Sequence, residues 1–264
     1  MALHESVNLT GRVAVVTGAG SADGIGFASA ALLGSFGAAV LVTSTTSRIE
    51  ERVEQLRSQG TDAASAVADL TVEAEATAVI DAAVQRWGQV DIVVNNAGMV
   101  SVADPDFESG DVGSMSPDTW HRSLARNLDT AFLVSRAAVP AMAERGWGRV
   151  VMVTSVTGAV MAMRGDVGYA TSKAGMVGLT RAMAVDLAGH GVTVNAVAPG
   201  WIATASQTPH EVEEGHTTPA GRSGTAGEIA AAVGWLCTPG ASYITGQCLV
   251  VDGGNSVAEE RLVR

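Results

Sequence analysis

The sequence has few of the residues that define several common protein classes. Two cysteines, Cys237 and Cys248, are too few for a disulfide scaffold and lack the spacing of metal ligands. The five histidines are scattered, so we expect no metal site. Aromatic residues make up 4% of the chain, so the core must be mainly aliphatic. Proline occurs seven times against 31 glycines, which favours tight turns over disorder.

Positive charge is also scarce. Sixteen Lys and Arg residues face 27 Asp and Glu residues, which gives a net charge of −11. Such a chain is a poor candidate for binding nucleic acid or an anionic membrane surface. Met1–Thr10 has no basic segment followed by an apolar one, and no run of about 18 apolar residues occurs. We therefore expect a soluble cytoplasmic protein with a small-molecule substrate.

Short β-branched runs alternate with longer Ala-rich helical patterns, and most of the runs are continuously apolar. Strands that are covered on both faces read in this way. The pattern predicts a single α/β domain over residues 1–264, a Rossmann-type doubly wound parallel sheet of about seven strands with helices on both faces. The predicted strands are Arg12–Thr17, Ala39–Thr43, Asp62–Val67, Val90–Val94, Gly148–Thr154, Val192–Ala198 and Gln247–Val251. The predicted helices are Gly24–Ser35, Arg48–Gln59, Val72–Trp87, Pro117–Glu144, Val167–Ala188 and Ala226–Leu236.

Two segments between these elements, Met99–Ser116 and Trp201–Thr225, are longer than the connections of a compact fold need to be. Long connections in this class of fold often bind ligands or cover them. We therefore expect both segments to be substrate-binding or lid loops.

A glycine-rich turn joins the first strand to the first helix. Its candidate cofactor contacts are Gly18, Ser21, Gly24, Ile25 and Gly26. Glycines allow a tight turn and a close approach of the backbone to a pyrophosphate. The N–H groups at the start of the following helix favour an anion. A structural glycine turn is the alternative, but the position between strand and helix is the one that dinucleotide binding requires.

The end of the second strand bears on the choice of cofactor. Enzymes that prefer NAD often place an acid here, yet no acid occurs before Glu50. The stretch offers hydroxyls, Ser44 among them, and one cation, Arg48, which suits a 2′-phosphate. The sequence favours NADP(H) slightly and leaves NAD(H) open. Arg48 could equally be a solvated helix residue.

The third and fourth strands end in further candidates for the cofactor site. After the third strand, Asp69 and Leu70 are candidates for contact with the adenine end of the cofactor. Asp69 could instead be the N-cap of the next helix, although Thr71 is the better candidate for that cap. After the fourth strand, Asn95-Asn96-Ala97-Gly98 has small residues that allow a cofactor to approach, and its Asn side chains could brace the backbone.

A candidate catalytic group follows the fifth strand. Ser155 comes directly after it, and Tyr169 and Lys173 lie four residues apart on one face of a predicted helix. An ammonium beside a phenol favours the phenolate and lowers a pKa that is normally about 10. Such a pair can exchange a proton with an alcohol or a carbonyl, while a serine hydroxyl stabilises charge on the substrate oxygen. Taken alone, a Tyr-Lys pair at this spacing indicates helix packing just as well.

Together these motifs resemble the short-chain dehydrogenase/reductase family over about residues 9–254. Two features depart from the family pattern: the Gly-rich turn is two residues longer than usual, and Arg126 replaces the small apolar residue that commonly precedes the Asn. The matching residues are the Gly-rich turn, Asp69, Asn95-Asn96-Ala97-Gly98, Asn127, Ser155, Tyr169, Lys173, Pro199-Gly200 and Asp252-Gly253-Gly254. The resemblance implies Tyr169 as general acid/base and Ser155 as hydrogen-bond donor to the substrate oxygen. Lys173 would hold the nicotinamide ribose and lower the Tyr169 pKa.

The resemblance implies further roles. Asn127 would hold a water molecule that links Lys173 to a proton relay, with a helix-kinking polar residue as the alternative. Contacts to the nicotinamide end would come from Pro199, Gly200, Ile202 and Thr204. A homotetramer is also implied, and the long helices Pro117–Glu144 and Val167–Ala188 suit subunit packing.

Apolar residues predicted to lie near Tyr169 suit a small hydrophobic or aryl ketone or secondary alcohol. They are Val156, Val160, Met161, Met163 and Trp201, and core packing would explain the methionines equally well. Acids of the two long segments could meet a cationic group, as in an amino alcohol, or could simply face solvent. These acids are Asp104, Asp106, Glu108, Asp111, Glu211, Glu213 and Glu214.

Three other functions compete with an alcohol dehydrogenase or carbonyl reductase. A reductase of 3-oxoacyl groups on an acidic acyl carrier protein would need a basic face, for which Arg126, Arg136 and Arg181 are the candidates. A non-catalytic NAD(P)-sensing protein would have no need of the Asn, Ser, Tyr and Lys set. A nucleotide-sugar epimerase would need a larger C-terminal region.

Overall fold

The computed structural model describes residues 4–98 and 109–260. Its central sheet has seven parallel strands, as predicted, and their order is β3-β2-β1-β4-β5-β6-β9. These strands are β1 Val13–Val16, β2 Ala39–Ser44, β3 Ala63–Val67, β4 Ile92–Asn95, β5 Gly148–Val153, β6 Val192–Pro199 and β9 Cys248–Val251. A separate two-stranded sheet pairs β7 Ile202–Ala203 with β8 Gly224–Thr225.

Helices cover both faces of the large sheet. They are α1 Ile25–Ser35, α2 Ile49–Ser58, α3 Glu73–Trp87, α4 Pro117–Leu124, α5 Thr130–Arg145, the one-turn α6 Val156–Ala159, α7 Val167–Leu187, α8 Pro209–His216 and α9 Ala226–Leu236. Short 3-10 turns at Ala188–His190 and Pro239–Ala241 end α7 and follow α9. No helix in the described ranges is long and apolar enough to cross a membrane.

The alternation of side chains along each strand explains the continuous apolar runs. In β1, Ala14 and Val16 pack into one core cluster with helices α1, α2 and α9, whereas Val13 and Val15 pack into a second with α3, α5 and α7. Successive side chains point to opposite faces of a sheet, so both sets must be apolar when both faces are covered.

Two predicted segments differ from the structure. The window Pro117–Glu144 is one continuous helical run, as predicted, but a π-helical turn at Ala125–Asp129 divides it into α4 and α5. Trp201–Thr225 is not a plain loop, because it contains β7, α8 and β8. Helix α8 begins with a capping box in which Thr208 and Glu211 satisfy each other's backbone N–H groups.

The strand order reverses between β1 and β4, which both pair with their neighbours in parallel. Open α/β sheets bind ligands at such a switch point, in the crevice outside the carboxyl ends of the strands. The residues that follow β1, β4, β5 and β6 therefore lie at the edge where a ligand is expected.

Candidate active site

Three of the four predicted catalytic side chains, those of Ser155, Tyr169 and Lys173, lie together where β5 ends and α7 begins. Ser155 has an extended backbone, and its hydroxyl accepts a hydrogen bond from the Thr157 N–H at 3.1 Å. The side chains of Ser155 and Tyr169 are also hydrogen-bonded to each other. Nζ of Lys173, one turn along α7, lies 5.5 Å from the centre of the Tyr169 ring. The group has the arrangement that proton transfer to an oxygen needs.

The protonation of Tyr169 differs from the prediction. Burial raises its pKa to about 12, the hydrogen bond from Ser155 lowers it, and the negative charges of Asp166 and Glu211 raise it. Burial also lowers the pKa of Lys173 to about 8. The expected lowering of the Tyr169 pKa by Lys173 is absent, because desolvation of the phenolate dominates. At neutral pH the phenol is therefore protonated, which suits it to donate a proton.

Lys173 is almost fully buried, with 3% of its surface exposed, and Nζ donates to the Val153 carbonyl oxygen at 3.1 Å. Asn127 lies nearby in the π turn, 2% exposed, and its Nδ2 donates to the Ser123 carbonyl oxygen at 3.1 Å. A Cβ added at Gly98 would stand 2.7 Å from Asn127 Oδ1 and 3.3 Å from Lys173 Nζ. Gly98 thus leaves the space between them open, and π turns often occur at functional sites.

The glycine-rich turn is braced by the end of β4. Asn96 Nδ2 donates to the carbonyl oxygens of Thr17 and Gly18, at 3.0 Å each. A Cβ at Gly26 would lie 2.6 Å from Asn96 Nδ2, and one at Gly18 would lie 2.8 Å from Ala97 Cα. These glycines are therefore required by the close packing of β1, β4 and α1, and Asn96 braces the backbone as predicted.

The start of α1 keeps its donors available. Gly24 is the N-cap and its N–H donates to the Ser21 carbonyl oxygen at 3.2 Å, but no side chain caps the helix that begins at Ile25. The first N–H groups of a helix have no partner within the helix. This uncapped terminus at the switch point fits the pyrophosphate of a dinucleotide.

Arg48 and Ser44 lie together beside the turn. A Cβ at Gly20 would stand 2.6 Å from both Arg48 Nε and Ser44 Oγ. Arg48 Nε is buried and has no hydrogen-bond partner in the part of the chain that the structure describes. Arg48 is therefore not simply a solvated helix residue. A buried guanidinium N–H without an acceptor fits a phosphate oxygen.

The capping predictions for the third helix are wrong. Val72 is the N-cap of α3, so neither Asp69 nor Thr71 has that position. Asp69 is exposed, and its Oδ1 accepts from the N–H and the hydroxyl of Thr71, at 3.0 and 2.7 Å. Leu70 is a core residue with 5% exposure. The Asp69 side chain forms a local turn, which leaves adenine contact as its predicted role.

The predicted nicotinamide contacts follow β6. Pro199 ends that strand, and the Gly200 N–H donates to the Val251 carbonyl oxygen at 3.0 Å. Ile202 lies in β7, and the Thr204 hydroxyl is hydrogen-bonded to Ser206 at 3.0 Å. All four residues stand at the carboxyl edge of the sheet, where the other candidate cofactor contacts lie.

The predicted substrate residues have different environments. Val156 is buried with 8% exposure, whereas Val160 and Met163 are 56% and 42% exposed. Met161 Sδ accepts from Asn255 Nδ2 at 3.8 Å. The indole nitrogen of Trp201 and Oδ1 of Asn255 are both buried without a hydrogen-bond partner among the described residues. Buried polar atoms of this kind are rare, and a bound ligand is one way to satisfy them.

Sequence reasoning missed Asn255 and Asp166. Asn255 is 4% exposed and Asp166 is 8% exposed. The only signal in the sequence was that Asn255 follows a Gly-Gly pair and that Asp166 precedes a predicted helix. Asp166 looks like an N-cap by its position, yet its side chain makes no capping hydrogen bond.

Several of the acids that could either meet a cationic group or face solvent have structural partners. Glu211 accepts from the Thr208 N–H at 2.6 Å. Asp111 accepts from the N–H groups of Gly113 and Ser114, which lower its pKa. Glu213 is exposed on α8. Asp104, Asp106 and Glu108 lie outside the described residues, as does most of the predicted loop Met99–Ser116. No group of three or more potential metal ligands occurs within residues 4–98 and 109–260.

Comparison with known proteins places this geometry among oxidoreductases. The family described as enoyl-(acyl carrier protein) reductase matches residues 18–256. A 3-oxoacyl-(acyl-carrier-protein) reductase of Pseudomonas aeruginosa is 38% identical over 253 residues, which cover 94% of this chain and 98% of that protein. An A-factor type γ-butyrolactone 1′-reductase of Streptomyces virginiae is 36% identical over 263 residues, covering 94% and 97%.

A solved structure is also similar along almost the whole chain. It is a 7α-hydroxysteroid dehydrogenase in complex with NADH and 7-oxo glycochenodeoxycholic acid, with a TM-score of 0.86 and 32% identity. The match covers 97% of this chain and 98% of that one. The named substrates of these similar proteins are unlike one another, while the fold is shared.

Proposed function

Because this chain belongs to the short-chain dehydrogenase/reductase family of NAD(P)(H)-dependent oxidoreductases, we propose that it interconverts a ketone and a secondary alcohol. The observation that carries this proposal is the hydrogen-bonded pair of Ser155 and Tyr169 with buried Lys173 beside it. The substrate is a small hydrophobic or aryl ketone. Val156 and the partly buried Met161 and Trp201 supply apolar surface for it.

Tyr169 is the general acid in the direction of reduction. Its raised pKa of about 12 keeps the phenol protonated at neutral pH, so it can donate a proton to the carbonyl oxygen. The Ser155 hydroxyl donates a hydrogen bond to the same oxygen as negative charge develops there. A bound reduced nicotinamide supplies the hydride for the carbonyl carbon. Lys173 orients its ribose, and the Asn127 side chain holds a water molecule beside Lys173.

The cofactor contacts come from three parts of the carboxyl edge. The uncapped start of α1 and the turn from Gly18 to Gly26 take the pyrophosphate, and Asp69 takes the adenine. Arg48 Nε, which lacks an acceptor among the described residues, favours a 2′-phosphate and so NADP(H) over NAD(H). Ala97 and Gly98 leave room at the nicotinamide end, where the segment from Pro199 to Thr204 lies.

A second candidate is a reductase of 3-oxoacyl thioesters, which the names of several similar proteins favour. The charge of this chain disfavours an acidic carrier protein as its partner. Of the three arginines that could form a basic face, Arg136 is already paired with Glu73. A small thioester that lacks the carrier would still be accepted by the site.

One assay separates these functions. Oxidation of NADPH and NADH is followed with aryl ketones, a 3-oxoacyl thioester of a small thiol, and the same acyl group on acyl carrier protein. We expect turnover of the aryl ketones with NADPH, and a loss of about 100-fold or more in kcat for Tyr169→Phe, because the proton donor is removed. Unchanged turnover by this variant would contradict the mechanism, and a strong preference for the carrier-bound substrate would establish the second candidate. The absence of any turnover, with retained cofactor binding, would favour an NAD(P)-sensing protein.

We also propose a homotetramer located in the cytoplasm. The apolar residues Phe132 on α5 and Val185 on α7 are 47% and 81% exposed, and both helices are long enough to pack against a second subunit. Light scattering should give four times the chain mass of 26.8 kDa. A mass of 26.8 kDa would contradict the proposed assembly.

A further inference from the structure

Asp166 is a buried carboxyl group that the proposed mechanism does not use. Only 8% of its surface is exposed, and Oδ1 has no hydrogen-bond partner within residues 4–98 and 109–260. A buried carboxylate oxygen without a donor is unfavourable and rare in folded proteins. The position therefore needs an explanation that the rest of the fold does not supply.

Helix capping is the ordinary role for an aspartate at this place, and Asp166 does not perform it. It is the N-cap residue of α7, where a carboxylate usually accepts from the second or third N–H of the helix. Its backbone has φ −133° and ψ 37°, and its side chain makes no capping bond. The side chain is directed elsewhere and stays buried.

The backbone around Asp166 is held from a second segment. The Gly110 N–H donates to the Gly165 carbonyl oxygen at 2.8 Å, and the Val167 N–H donates to the Gly110 carbonyl oxygen at 3.3 Å. Gly110 and Asp166 thereby form a parallel β-bridge. These bonds fix the position of the aspartate at the start of the helix without using its carboxyl group.

Asp166 lies at the start of α7, close to the proposed proton donor. It is the N-cap residue, and Tyr169 follows it by three residues in the first turn of the helix. The two side chains are close enough for the charge of Asp166 to raise the pKa of Tyr169. A substrate with its carbonyl oxygen at Tyr169 can thus present a group two or three bonds away to Asp166.

We propose that Asp166 is a specificity-determining residue that accepts a hydrogen bond from a protonated amine on the carbon next to the reacting carbonyl. This rests on the proposed function and narrows its substrate to amino ketones and the matching amino alcohols. An amine supplies both the missing donor and a positive charge for the carboxylate. Ser155 and Tyr169 form hydrogen bonds with the carbonyl oxygen of the substrate. Asp166 is therefore available to accept a hydrogen bond from the amine on the neighbouring carbon.

Other acids near this edge are poorer candidates for the amine because they have partners. Glu211 accepts from the backbone of Thr208 in the capping box of α8. Glu228 is paired with Arg222. Asp166 differs from both because its buried Oδ1 accepts no hydrogen bond from any of the described residues.

The test compares four aryl ketones that differ in one group: acetophenone, α-hydroxyacetophenone, α-dimethylaminoacetophenone and its trimethylammonium analogue. The values of kcat/KM with NADPH are measured for wild type, for Asp166→Asn and for Asp81→Asn. Asp81 is an exposed acid on α3, so its replacement causes the same change in net charge away from the site. Calorimetric titration of each ketone into protein with NADPH analogue gives the binding preference independently of turnover.

We expect wild type and Asp81→Asn to prefer the dimethylamino ketone over acetophenone, and Asp166→Asn to lose about 10- to 100-fold of that preference. Circular dichroism and NADPH binding show whether the variant is folded, because loss of the Asp166 charge also changes the pKa of Tyr169 and with it the turnover of acetophenone. The preference is a ratio of kcat/KM values within one variant, so this common change cancels. The trimethylammonium analogue carries the charge but no N–H, so it should bind more weakly than the dimethylamino ketone. The inference would be overturned if wild type and Asp166→Asn preferred the dimethylamino ketone over acetophenone equally. It would also be overturned if Asp166→Asn lost kcat/KM for α-hydroxyacetophenone alone. No turnover of any ketone, with the binding preference intact, would contradict the proposed function instead.

Discussion

Replacement of Asp166 by asparagine should stabilise the protein near neutral pH. Burial raises the pKa of Asp166 from 3.8 to about 6, so the folded state disfavours the ionised form. A group whose folded pKa is raised in this way destabilises the fold above that pKa, and the cost disappears as the pH falls towards the unfolded value. Asparagine has nearly the same shape and cannot ionise.

The size of the pKa shift of Asp166 gives the expected gain in the free energy of unfolding. The difference between about 6 and 3.8 is about 2.2 pH units, or about 3 kcal/mol at 1.36 kcal/mol per unit. This is an upper value because the carboxyl can move towards water as it ionises, so we expect about 1–3 kcal/mol at pH 7.5. Near pH 4.5 the same linkage leaves about a third of the effect.

Thermal unfolding of wild type and Asp166→Asn at pH 7.5 and pH 4.5, each at one protein concentration, measures this difference. A gain of 2 kcal/mol corresponds to about 4–8 °C in Tm for a chain of this length. Asp81→Asn is the matched control and should change Tm little at either pH. An Asp166→Asn protein that is less stable than wild type at pH 7.5, or whose difference does not depend on pH, would show that the carboxylate has a partner.

Three further predictions concern the cofactor site and the catalytic helix. Lys173→Met should be more stable than wild type by about 1–3 kcal/mol at pH 7 and by about half as much at pH 9.5. The reason is that burial lowers the Lys173 pKa to about 8, so wild type regains stability as the lysine loses its proton. Urea unfolding at both pH values tests this. Gly26→Ala should lower the free energy of unfolding by about 1–3 kcal/mol, because the new Cβ would lie 2.6 Å from Asn96 Nδ2. Gly178→Ala is the control and should not lower it, because no atom lies within 4 Å of that Cβ. Equal urea midpoints for the two variants would contradict this packing argument. Arg48→Ala should raise KM for NADPH about 10- to 100-fold with little change for NADH, and an equal effect on both cofactors would refute a contact to the 2′-phosphate.

The strands were predictable because their environment leaves a direct mark on the sequence. All eight residues of β6 are buried, and a strand covered on both faces has a nearly continuous apolar sequence, which only Thr193 and Asn195 interrupt in β6. The turn at Gly18–Gly26 was predictable for a related reason, because close packing admits no side chain at several of its positions.

The remaining errors have physical causes. The π turn between α4 and α5 depends on how the chain packs in three dimensions, and no proline or glycine marks it. Helix α8 was not predicted, although Thr208 and Glu211 have the spacing of a capping box, because it is only 8 residues long and lies within a long connection. The buried state of Asp166 depends on Gly110, 56 residues earlier in the chain, so local sequence could indicate only a cap.

The pKa prediction failed for a different reason. Spacing showed that Lys173 and Tyr169 share a helix face, but it carried no information on how deeply the pair is buried. In the folded chain desolvation outweighs the attraction between ammonium and phenolate. Geometry could thus be inferred from sequence, whereas the balance of charge could not.

The π turn at Ala125–Asp129 constrains how this helix can vary in length. Each residue of an α-helix advances the side chains by about 100°, so a π turn accommodates one residue beyond a regular α-helical path. Deletion of one residue there would restore a regular helix and turn Asn127 away from Lys173, although every other catalytic side chain would stay in place. Insertions and deletions between α4 and α5 are therefore restricted by the catalytic site as well as by the packing of α5 in the hydrophobic core.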